Sequence, residues 1–244
     1  MKQGYFEIIE NTAIAPNVMR MQLRGDTADI TAPGQFVNIA LEGKFLRRPI
    51  SVCDVQGDVL TIIYKVVGSG TEMMAEMKGG KLDILTGLGN GYDLSCAGEK
   101  PLLLGGGAGV PPMYMLCKQL IAMGKKVSVV LGFNTASEIF YEEEFKALGA
   151  DVTVTTVDGT YGLKGFVTDA MKNIEYSHFF TCGPEPMLRA VYNASVTSGQ
   201  MSFEERMGCG FGACMGCSCK TITGYKRICK DGPVMRKEEI LWQK

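Results

Sequence analysis

The chain has 244 residues, of which 46% are hydrophobic, and its formal net charge at pH 7 is −1. This balance, without any dense run of Lys or Arg, disfavours nucleic acid and anionic membrane surfaces as partners. No apolar run approaches the roughly 20 residues that cross a bilayer as a helix, and the first residues resemble a strand rather than a targeting segment. We therefore expect a soluble, cytoplasmic protein with a core large enough for two domains and an appendage.

Residues 1–96 have the pattern of a small antiparallel β-barrel. Short segments rich in β-branched and aromatic residues are separated by Gly, Pro, Asn and Asp breaks, a spacing typical of such barrels. A short helix is predicted from Gly70 to Met77, with Thr71 placed to cap it. The predicted strands cover residues 5–10, 17–24, 35–41, 49–53, 59–67 and 82–85.

Strands and helices alternate in residues 97–200, which indicates a parallel, doubly wound sheet. The predicted strands are 101–104, 126–132, 152–157 and 178–183, and the predicted helices are 110–123, 137–148, 166–172 and 185–198. Residues 201–244 form a third unit, which holds most of the cysteines. The predicted fold class is therefore α+β and multidomain: a β-barrel, a doubly wound α/β domain and a small C-terminal cysteine-rich segment.

Five cysteines lie close together near the C-terminus: Cys209, Cys214, Cys217, Cys219 and Cys229. The first three have the spacing Cys-x4-Cys-x2-Cys, and a more distant fourth cysteine completes the plant-type pattern of a [2Fe–2S] cluster. We prefer Cys229 as that fourth ligand, with Cys219 as a further candidate. Zinc is the alternative, although zinc sites usually pair two short Cys-x2-Cys units. Disulfides are disfavoured because the total of nine cysteines is odd.

Two stretches have the composition of phosphate-binding segments. Arg48 and Ser51 stand at the start of a predicted strand, and Gly68-Ser-Gly-Thr71 opens a helix, where backbone N–H groups favour anions. Tyr64, on the next strand, is a candidate to lie along a flat ring system, or alternatively one more barrel aromatic.

The second stretch, Gly105-Gly-Gly-Ala-Gly109, joins a buried strand to a helix, as in dinucleotide sites. Its spacing differs from Gly-x-Gly-x-x-Gly, so a tight turn without a ligand is the alternative. Cys182-Gly183-Pro184 follows another parallel strand, at the sheet edge where ligands bind.

No side-chain set for acid–base or nucleophilic chemistry stands out in the sequence. The single histidine, His178, lies in an apolar strand and is predicted to be buried and structural, as are the scattered cysteines Cys53, Cys96, Cys117 and Cys182. Cofactors would then carry the chemistry and the protein would position them.

The order of these motifs resembles the ferredoxin–NADP reductase superfamily over nearly the whole chain. Within it, the cysteine segment resembles the electron-transfer subunits of two-subunit, NAD-linked (type B) dihydroorotate dehydrogenases. The segments that carry this resemblance are Leu46–Ser51, Gly68–Thr71, Leu88–Gly91, Gly105–Pro112, Tyr161–Val167, Cys182–Pro184 and Cys229–Val234.

This resemblance implies FAD, a [2Fe–2S] cluster and NAD as cofactors. It implies that FAD is bound by three groups of residues: Arg48, Pro49, Ile50 and Ser51; Ile63, Tyr64 and Lys65; Gly70 and Thr71. For NAD it implies Gly105, Gly106, Gly107, Gly109, Cys182, Gly183 and Pro184, and for the cluster Cys209, Cys214, Cys217 and Cys229. Related flavin barrels often carry Tyr where this chain has Ile50.

The implied partner is an FMN-containing catalytic subunit that oxidises dihydroorotate, in a heterotetramer with two copies of each chain. We expect NAD rather than NADP, because Gly132-Phe-Asn-Thr-Ala-Ser137 offers no Arg or Lys for a 2′-phosphate. The alternative is the flavin/iron–sulfur subunit of an NADPH:ferredoxin oxidoreductase or sulfide dehydrogenase. That family tends to place Asp where Cys209 stands.

Overall fold

A computed structural model describes residues 1–242. The first part is a closed antiparallel barrel with the strand order β1-β2-β5-β4-β3-β6. Helix α1 (Ser69–Glu76) connects the last two strands in sequence. The strands are β1 (Lys2–Ala15), β2 (Val18–Arg24), β3 (Phe36–Ile39), β4 (Arg48–Gln56), β5 (Val59–Lys65) and β6 (Lys81–Leu88).

Alternation along the strands separates the barrel interior from its outer face. On β3, Val37 and Ile39 belong to the interior core, whereas Phe36 packs in a separate cluster with the C-terminal segment. Because successive side chains of a strand point to opposite faces, Phe36 and Asn38 share the outer face. This outer face of β3 is where the cysteine segment docks.

The second part is a sheet with helices on both faces. Its strands are β7 (Pro101–Gly106), β8 (Ser128–Phe133), β9 (Asp151–Thr156), β10 (Leu163–Lys164), β11 (His178–Cys182) and β12 (Gly199–Ser202). Its helices are α2 (Pro111–Ala122), α3 (Glu142–Ala147), α4 (Val167–Met171) and α5 (Glu185–Ala194). The strand order is β10-β9-β8-β7-β11-β12, all parallel.

The C-terminal segment adds a hairpin of β13 (Ser218–Thr221) and β14 (Gly224–Arg227), followed by β15 (Val234–Arg236). Strand β15 pairs antiparallel with β12 and so becomes the seventh strand of the α/β sheet. The segment is therefore tied to the α/β sheet, while residues 209–217, the cysteine loop, contact the barrel.

The two faces of the sheet bury two different cores. Leu103 of β7 packs with α2 and with barrel residues such as Cys53 and Ile63, whereas its neighbours Leu102 and Leu104 pack with α4 and α5. The doubly wound architecture and the barrel are thus confirmed. Because one core crosses from the barrel into the sheet, the two parts hold each other in a fixed orientation.

The sequence misjudged two local details. The helix predicted over 137–148 is wrong: a 3-10 turn at Ala136–Glu138 is separated from α3 by Tyr141, which adopts φ 67°. Helix α5 ends at Ala194, before the predicted end at Ser198, because Ser195 adopts an extended conformation that leads the chain towards β12. Within residues 1–242, no helix is long and apolar enough to span a membrane.

Candidate functional site

The two arginines at the start of β4 have different surroundings. Arg47 is held by Asp83 through two bonds of 3.0 and 3.1 Å and also donates to the carbonyl of Asn38 at 3.2 Å. Arg48 donates to the carbonyl of Leu46, and no carboxylate of residues 1–242 pairs with it. Arg48 is therefore the arginine whose charge is available for a diphosphate, whereas Arg47 is structural.

Arg48 lies against the first turn of α1. A Cβ placed on Gly70 would come within 2.1 Å of the Arg48 Nε, so only glycine permits this approach. Lys44, which the sequence analysis did not select, donates to the Ser69 hydroxyl at 2.8 Å. Two cations thus flank a helix N-terminus, which itself favours anions. This cradle fits a diphosphate.

Thr71 caps α1 as expected, but from inside the first turn. Its hydroxyl accepts from the backbone N–H groups of Val67 and Gly68 at 2.9 and 3.2 Å and donates to the Gly68 carbonyl. The loop that precedes the cradle is therefore fixed before any ligand binds.

The other residues predicted to contact FAD lie on β4 and β5 and offer a ligand their backbone more than their side chains. Tyr64 is only 3% exposed, packs in the barrel interior and donates its hydroxyl to Asn11 at 3.1 Å. This packing of the ring favours the alternative that Tyr64 is one more barrel aromatic. Ile50 and Ser51 are half-buried, while Pro49 and Lys65 are exposed.

The glycine-rich loop lies at the point where the sheet order reverses. Strand β7 ends at Gly105 and Gly106, and its neighbour β11 ends at Cys182, which is in register with Gly105. Ligands of doubly wound sheets bind at the carboxyl ends of the strands at this switch point. A Cβ on Gly109 would lie 2.1 Å from the carbonyl oxygen of Cys182, so the two predicted motifs form one structure.

A cleft of about 550 Å³ opens at this edge. It brings together Gly106, Gly107 and Gly109 with Gly183 and Pro184, as predicted. Sequence reasoning missed the other walls, which come from the ends of β8 and β9, the segments after them, helix α5 and the residues after β12. They include Phe133, Asn134, Glu138, Thr155, Val157, Phe166, Met187 and Glu204.

Strand β5 meets the glycine-rich loop Gly105–Gly109, which is called the nucleotide loop below. A small gap of about 30 Å³ is lined by Ile63, Tyr64 and Lys65 of β5 on one side and by Gly107 and Ala108 on the other. Lys65 also lines the large cleft. A ring held by the barrel and a ring held in the cleft would come together at this gap.

Backbone N–H groups surround the cysteine sulfurs. The Sγ of Cys209 accepts from Ala213 at 3.2 Å and from Cys214 at 3.4 Å, and the Sγ of Cys214 accepts from Gly216 at 3.5 Å. The Sγ of Cys217 accepts from the N–H of Cys229 at 3.4 Å. Such N–H···S contacts stabilise thiolates, as an iron–sulfur cluster requires.

The four cysteines are arranged as two pairs. Cys209 and Cys214 are hydrogen-bonded to each other on the accessible side, whereas Cys217 and Cys229 are each 2% exposed and in contact. Among residues 1–242, no group of three or more His, Cys, Asp or Glu side chains is arranged to hold a metal ion. Two pairs are what a two-iron cluster uses, with two protein ligands per iron. A single zinc ion would need four ligands around one point.

The pKa values of these thiols differ. Burial opposes ionisation of Cys209, but N–H donors from Phe211 and Cys214, the Cys214 thiol and the Ala213 N–H outweigh it and lower its pKa to about 6. Burial, followed by the contact with Cys217, raises the pKa of Cys229 to about 12. Because metal ligands are thiolates, positive charge is needed beside Cys229, and bound iron would supply it.

The other cysteines have other surroundings. Cys219 lies on the β13–β14 hairpin, 4.0 Å from the sulfur of Met235. Cys53, Cys117 and Cys182 are buried as predicted. The prediction for Cys96 is wrong because this residue is exposed, although its sulfur accepts from Gln200 at 3.0 Å. His178 is buried, as expected, and its pKa is lowered by that burial.

Two side chains fix the cysteine loop from outside, and a third, Asn90, holds the segment that follows it. Asn38 donates to the carbonyl of Cys209 at 3.3 Å, and Arg227 donates to the carbonyl of Gly212 at 2.9 Å. Arg227 is itself held by Asp231 at 2.9 Å. Asn90 exchanges two bonds with the backbone of Val234, of 2.8 and 3.1 Å. The motifs Leu88–Gly91 and Cys229–Val234 are thus two halves of one contact.

The barrel order places strand β4, which begins with Arg48 and is called the flavin strand below, between the other two candidate sites. Strand β4 has β5 on one side, which meets the nucleotide loop, and β3 on the other, which meets the cysteine loop. Pro49 of β4 is directly opposite Asn38 of β3. The three candidate sites therefore form a line: cleft, β4, cysteine loop.

Comparison with known proteins gives two family matches. The iron–sulfur cluster binding domain of dihydroorotate dehydrogenase B matches residues 204–241, and the oxidoreductase NAD-binding domain matches residues 103–193.

Similar proteins cover the chain almost completely. The dihydroorotate dehydrogenase B (NAD(+)) electron transfer subunit of Fusobacterium nucleatum is 44% identical, over 95% of this chain and 95% of its own length. The corresponding subunit of Bacillus pumilus is 42% identical over 98% of both chains. A solved structure of NADH-dependent reduced ferredoxin-NADP oxidoreductase is 30% identical with a TM-score of 0.88, covering 97% of this chain and 90% of that one. The chain therefore belongs to the family of dihydroorotate dehydrogenase B (NAD(+)) electron transfer subunits.

Proposed function

We propose that this chain carries electrons between NAD and a catalytic subunit that oxidises dihydroorotate to orotate, in pyrimidine synthesis. The observation that carries the proposal is the strand order β5-β4-β3, which puts the flavin strand between the nucleotide cleft and the cysteine loop. Oxidation of dihydroorotate releases two electrons and two protons. NAD⁺ takes both electrons with one proton as a hydride, and the second proton goes to solvent.

In this proposal Arg48 and the N-terminus of α1 hold the diphosphate of FAD. Gly70 allows the close approach, Thr71 fixes the loop, and Lys44 adds charge. The remaining contacts come from Pro49, Ile50 and Ser51 and from Ile63, Tyr64 and Lys65, chiefly through their backbone. When bound, FAD exchanges a hydride with nicotinamide and single electrons with the cluster, so it joins two-electron to one-electron traffic.

The NAD diphosphate would lie on Gly105, Gly106, Gly107 and Gly109, at the N-terminus of α2. Cys182, Gly183 and Pro184 would close the nicotinamide end of the cleft. Glu138 lines the same cleft, and Asp158 follows directly after the lining residue Val157. A carboxylate suits the ribose 2′-hydroxyl and repels a 2′-phosphate, which supports NAD over NADP.

Cys209, Cys214, Cys217 and Cys229 would ligate the cluster, one pair to each iron. The N–H groups around their sulfurs offset the negative charge of the thiolates. The exposed side chains of Phe211 and Met215 flank the accessible pair. Apolar side chains beside an electron-transfer centre support this loop as the contact surface for the catalytic subunit.

The proposal includes an FMN group in that catalytic subunit and an assembly of two copies of each chain. It also includes the division into units 1–96, 97–200 and 201–244, one for each cofactor. The cytoplasm is the proposed location. None of the nine cysteines forms a disulfide, and cluster thiolates need a reducing compartment.

The test is an anaerobic pull-down of this chain from its host, assayed for NAD⁺ reduction driven by dihydroorotate. We expect activity only when an FMN-containing partner is present, a preference for NAD⁺ over NADP⁺, and light-scattering mass for two chains of each kind. The chain alone should reduce ferricyanide with NADH but not respond to dihydroorotate.

A different outcome would support the alternative. If the preparation contains flavin and cluster, ignores dihydroorotate and reduces ferredoxin with NADPH, the chain serves a ferredoxin-linked oxidoreductase. The cysteine at position 209 argues against that alternative, since that family tends to carry Asp there.

A further inference from the structure

Asn38 is a buried amide at an unexpected place. It lies on the outer face of β3 and is 1% exposed, in a strand whose other three residues are Phe36, Val37 and Ile39. Its Oδ1 is buried without a hydrogen-bond partner among residues 1–242. A buried polar atom without a partner destabilises a protein, so an apolar residue would suit this position better if only stability mattered.

The other half of the amide touches the cysteine loop. The Nδ2 of Asn38 donates to the carbonyl of Cys209 at 3.3 Å. A Cβ on Gly210 would come within 2.2 Å of this nitrogen, and Gly210 has φ +76°, so the loop is shaped around the amide. The contact therefore constrains the loop at the residue next to a candidate ligand.

The backbone of Asn38 is fixed on the barrel side. Its carbonyl accepts from Arg47, which is held by Asp83 of β6. Asn38 is also in direct register with Pro49 of the flavin strand. Any displacement of the Cys209 loop against β4 must therefore break the Asn38 contact or deform the β4–β3–β6 part of the barrel.

We propose that Asn38 is a positioning residue that sets the placement of the Cys209 side of the cluster relative to the flavin strand. This inference rests on the proposed function, since it assigns the residue to electron transfer between flavin and cluster. Side chains that orient metal ligands without touching the metal typically change affinity or activity by ~10–100-fold when replaced. We expect Asn38 to act on the transfer step and on the cluster, and not on NADH oxidation by the flavin.

The experiment compares the full chain with Asn38→Leu, which keeps the branched shape of the side chain but removes the donor. NADH is mixed anaerobically with each protein, and flavin bleaching and cluster reduction are followed separately. For Asn38→Leu we expect unchanged flavin bleaching, cluster reduction slower by about tenfold, and shifted g-values of the reduced cluster in EPR. Asn38→Ala cannot crowd the loop and should show the same pattern. If the leucine variant loads no iron, the alanine variant tests the proposal in its place.

Asn11→Leu is the matched control. Asn11 is also a buried amide of the barrel that donates to backbone carbonyls, those of Met74 and Met77, and none of its bonds involves residues 203–242. It should lower the melting temperature but leave the cluster signals unchanged. Wild-type g-values and a wild-type rate of cluster reduction in both Asn38 variants would overturn the proposal.

The two failures are distinguishable. If the wild-type chain never responds to dihydroorotate with any partner, the proposed function fails. NADH-driven reduction of the cluster within the single chain would still test Asn38.

Discussion

The two glycine-rich loops of this protein are fixed in opposite ways. Gly105–Gly109 joins a buried strand to helix α2 and is held by the backbone of β11, with Gly109 against the Cys182 carbonyl. The cysteine loop 209–217 precedes a short hairpin and is held by side chains from outside: Asn38, Arg227 and, beyond the last cysteine, Asn90.

The difference teaches where each site is vulnerable. The nucleotide loop takes its shape from a sheet and a helix that would form without any ligand, so its weak points are the glycines themselves. The cysteine loop contains no helix or strand, and it is held by side chains that are distant in sequence. Its weak points therefore include those side chains. Three substitutions break or sharpen this contrast, and we give them from the largest expected effect to the smallest.

Cys229→Ser tests the cysteine side most severely. Cys229 belongs to the buried pair with Cys217, so we expect complete loss of the cluster, because one iron would lack a protein thiolate. Iron analysis and visible absorbance measure this. NADH-dependent ferricyanide reduction should persist, since the nucleotide side is held by other elements. Cys219→Ser is the control and should retain iron; loss of iron in both variants equally would contradict our choice of ligands.

Gly109→Ala tests the nucleotide side. The new Cβ would lie 2.1 Å from the Cys182 carbonyl oxygen and 2.5 Å from the Gly183 nitrogen, and backbone atoms cannot move aside. We expect a loss of about 1–3 kcal/mol in unfolding free energy and a kcat/KM for NADH lower by about 100-fold. Thermal unfolding and steady-state kinetics with ferricyanide measure both.

Gly79→Ala is the matched control for Gly109→Ala, because a Cβ there meets nothing within 4 Å. It should leave the kinetics unchanged. The EPR spectrum of the cluster should be the same in Gly109→Ala as in the wild type; a changed spectrum would mean that the two loops are not independent.

Arg227→Ala tests the external support of the cysteine loop. Removing its bonds to Gly212 and Asp231 frees the loop between Cys209 and Cys214, and we expect ~10-fold weaker iron retention against a chelator. Lys172→Ala is the control, because the Lys172–Asp169 pair is likewise a short-range ion pair but lies exposed at the end of α4. It should change stability by no more than about 0.5 kcal/mol. Equal iron retention in both variants would show that the loop holds its shape unaided.

The fold was predictable from the sequence because its signals are local. The β-rich segments before residue 96, the alternation of strands and helices after it and the glycine loop all follow from periodicity and turn residues. The helix predicted over 137–148 failed for an equally physical reason. Its apolar and charged residues have helical spacing, but tertiary packing places Tyr141 at positive φ between a 3-10 turn and α3.

The sequence marks the candidate ligands of the site but not the residues that support them. Cys209, Cys214, Cys217 and Cys229 are marked by spacing, and Arg48 by its place at the start of a strand. Lys44, Glu138 and Phe166 carry no such mark, because an isolated charged or aromatic residue has many structural uses. The residue types of Arg47 and Arg48 are the same, and the contact of Arg47 with Asp83 is what separates them in the structure.

By itself the sequence determined which chemistry this protein can hold, since thiol spacing and glycine loops depend on residues that are neighbours along the chain. Only the tertiary structure decided the order of the sites. The placement of β4 between β5 and β3, and the contact of Asn38 with Cys209, join residues up to 171 positions apart. Strand order and such long-range contacts depend on how the whole chain packs, and no local pattern encodes them.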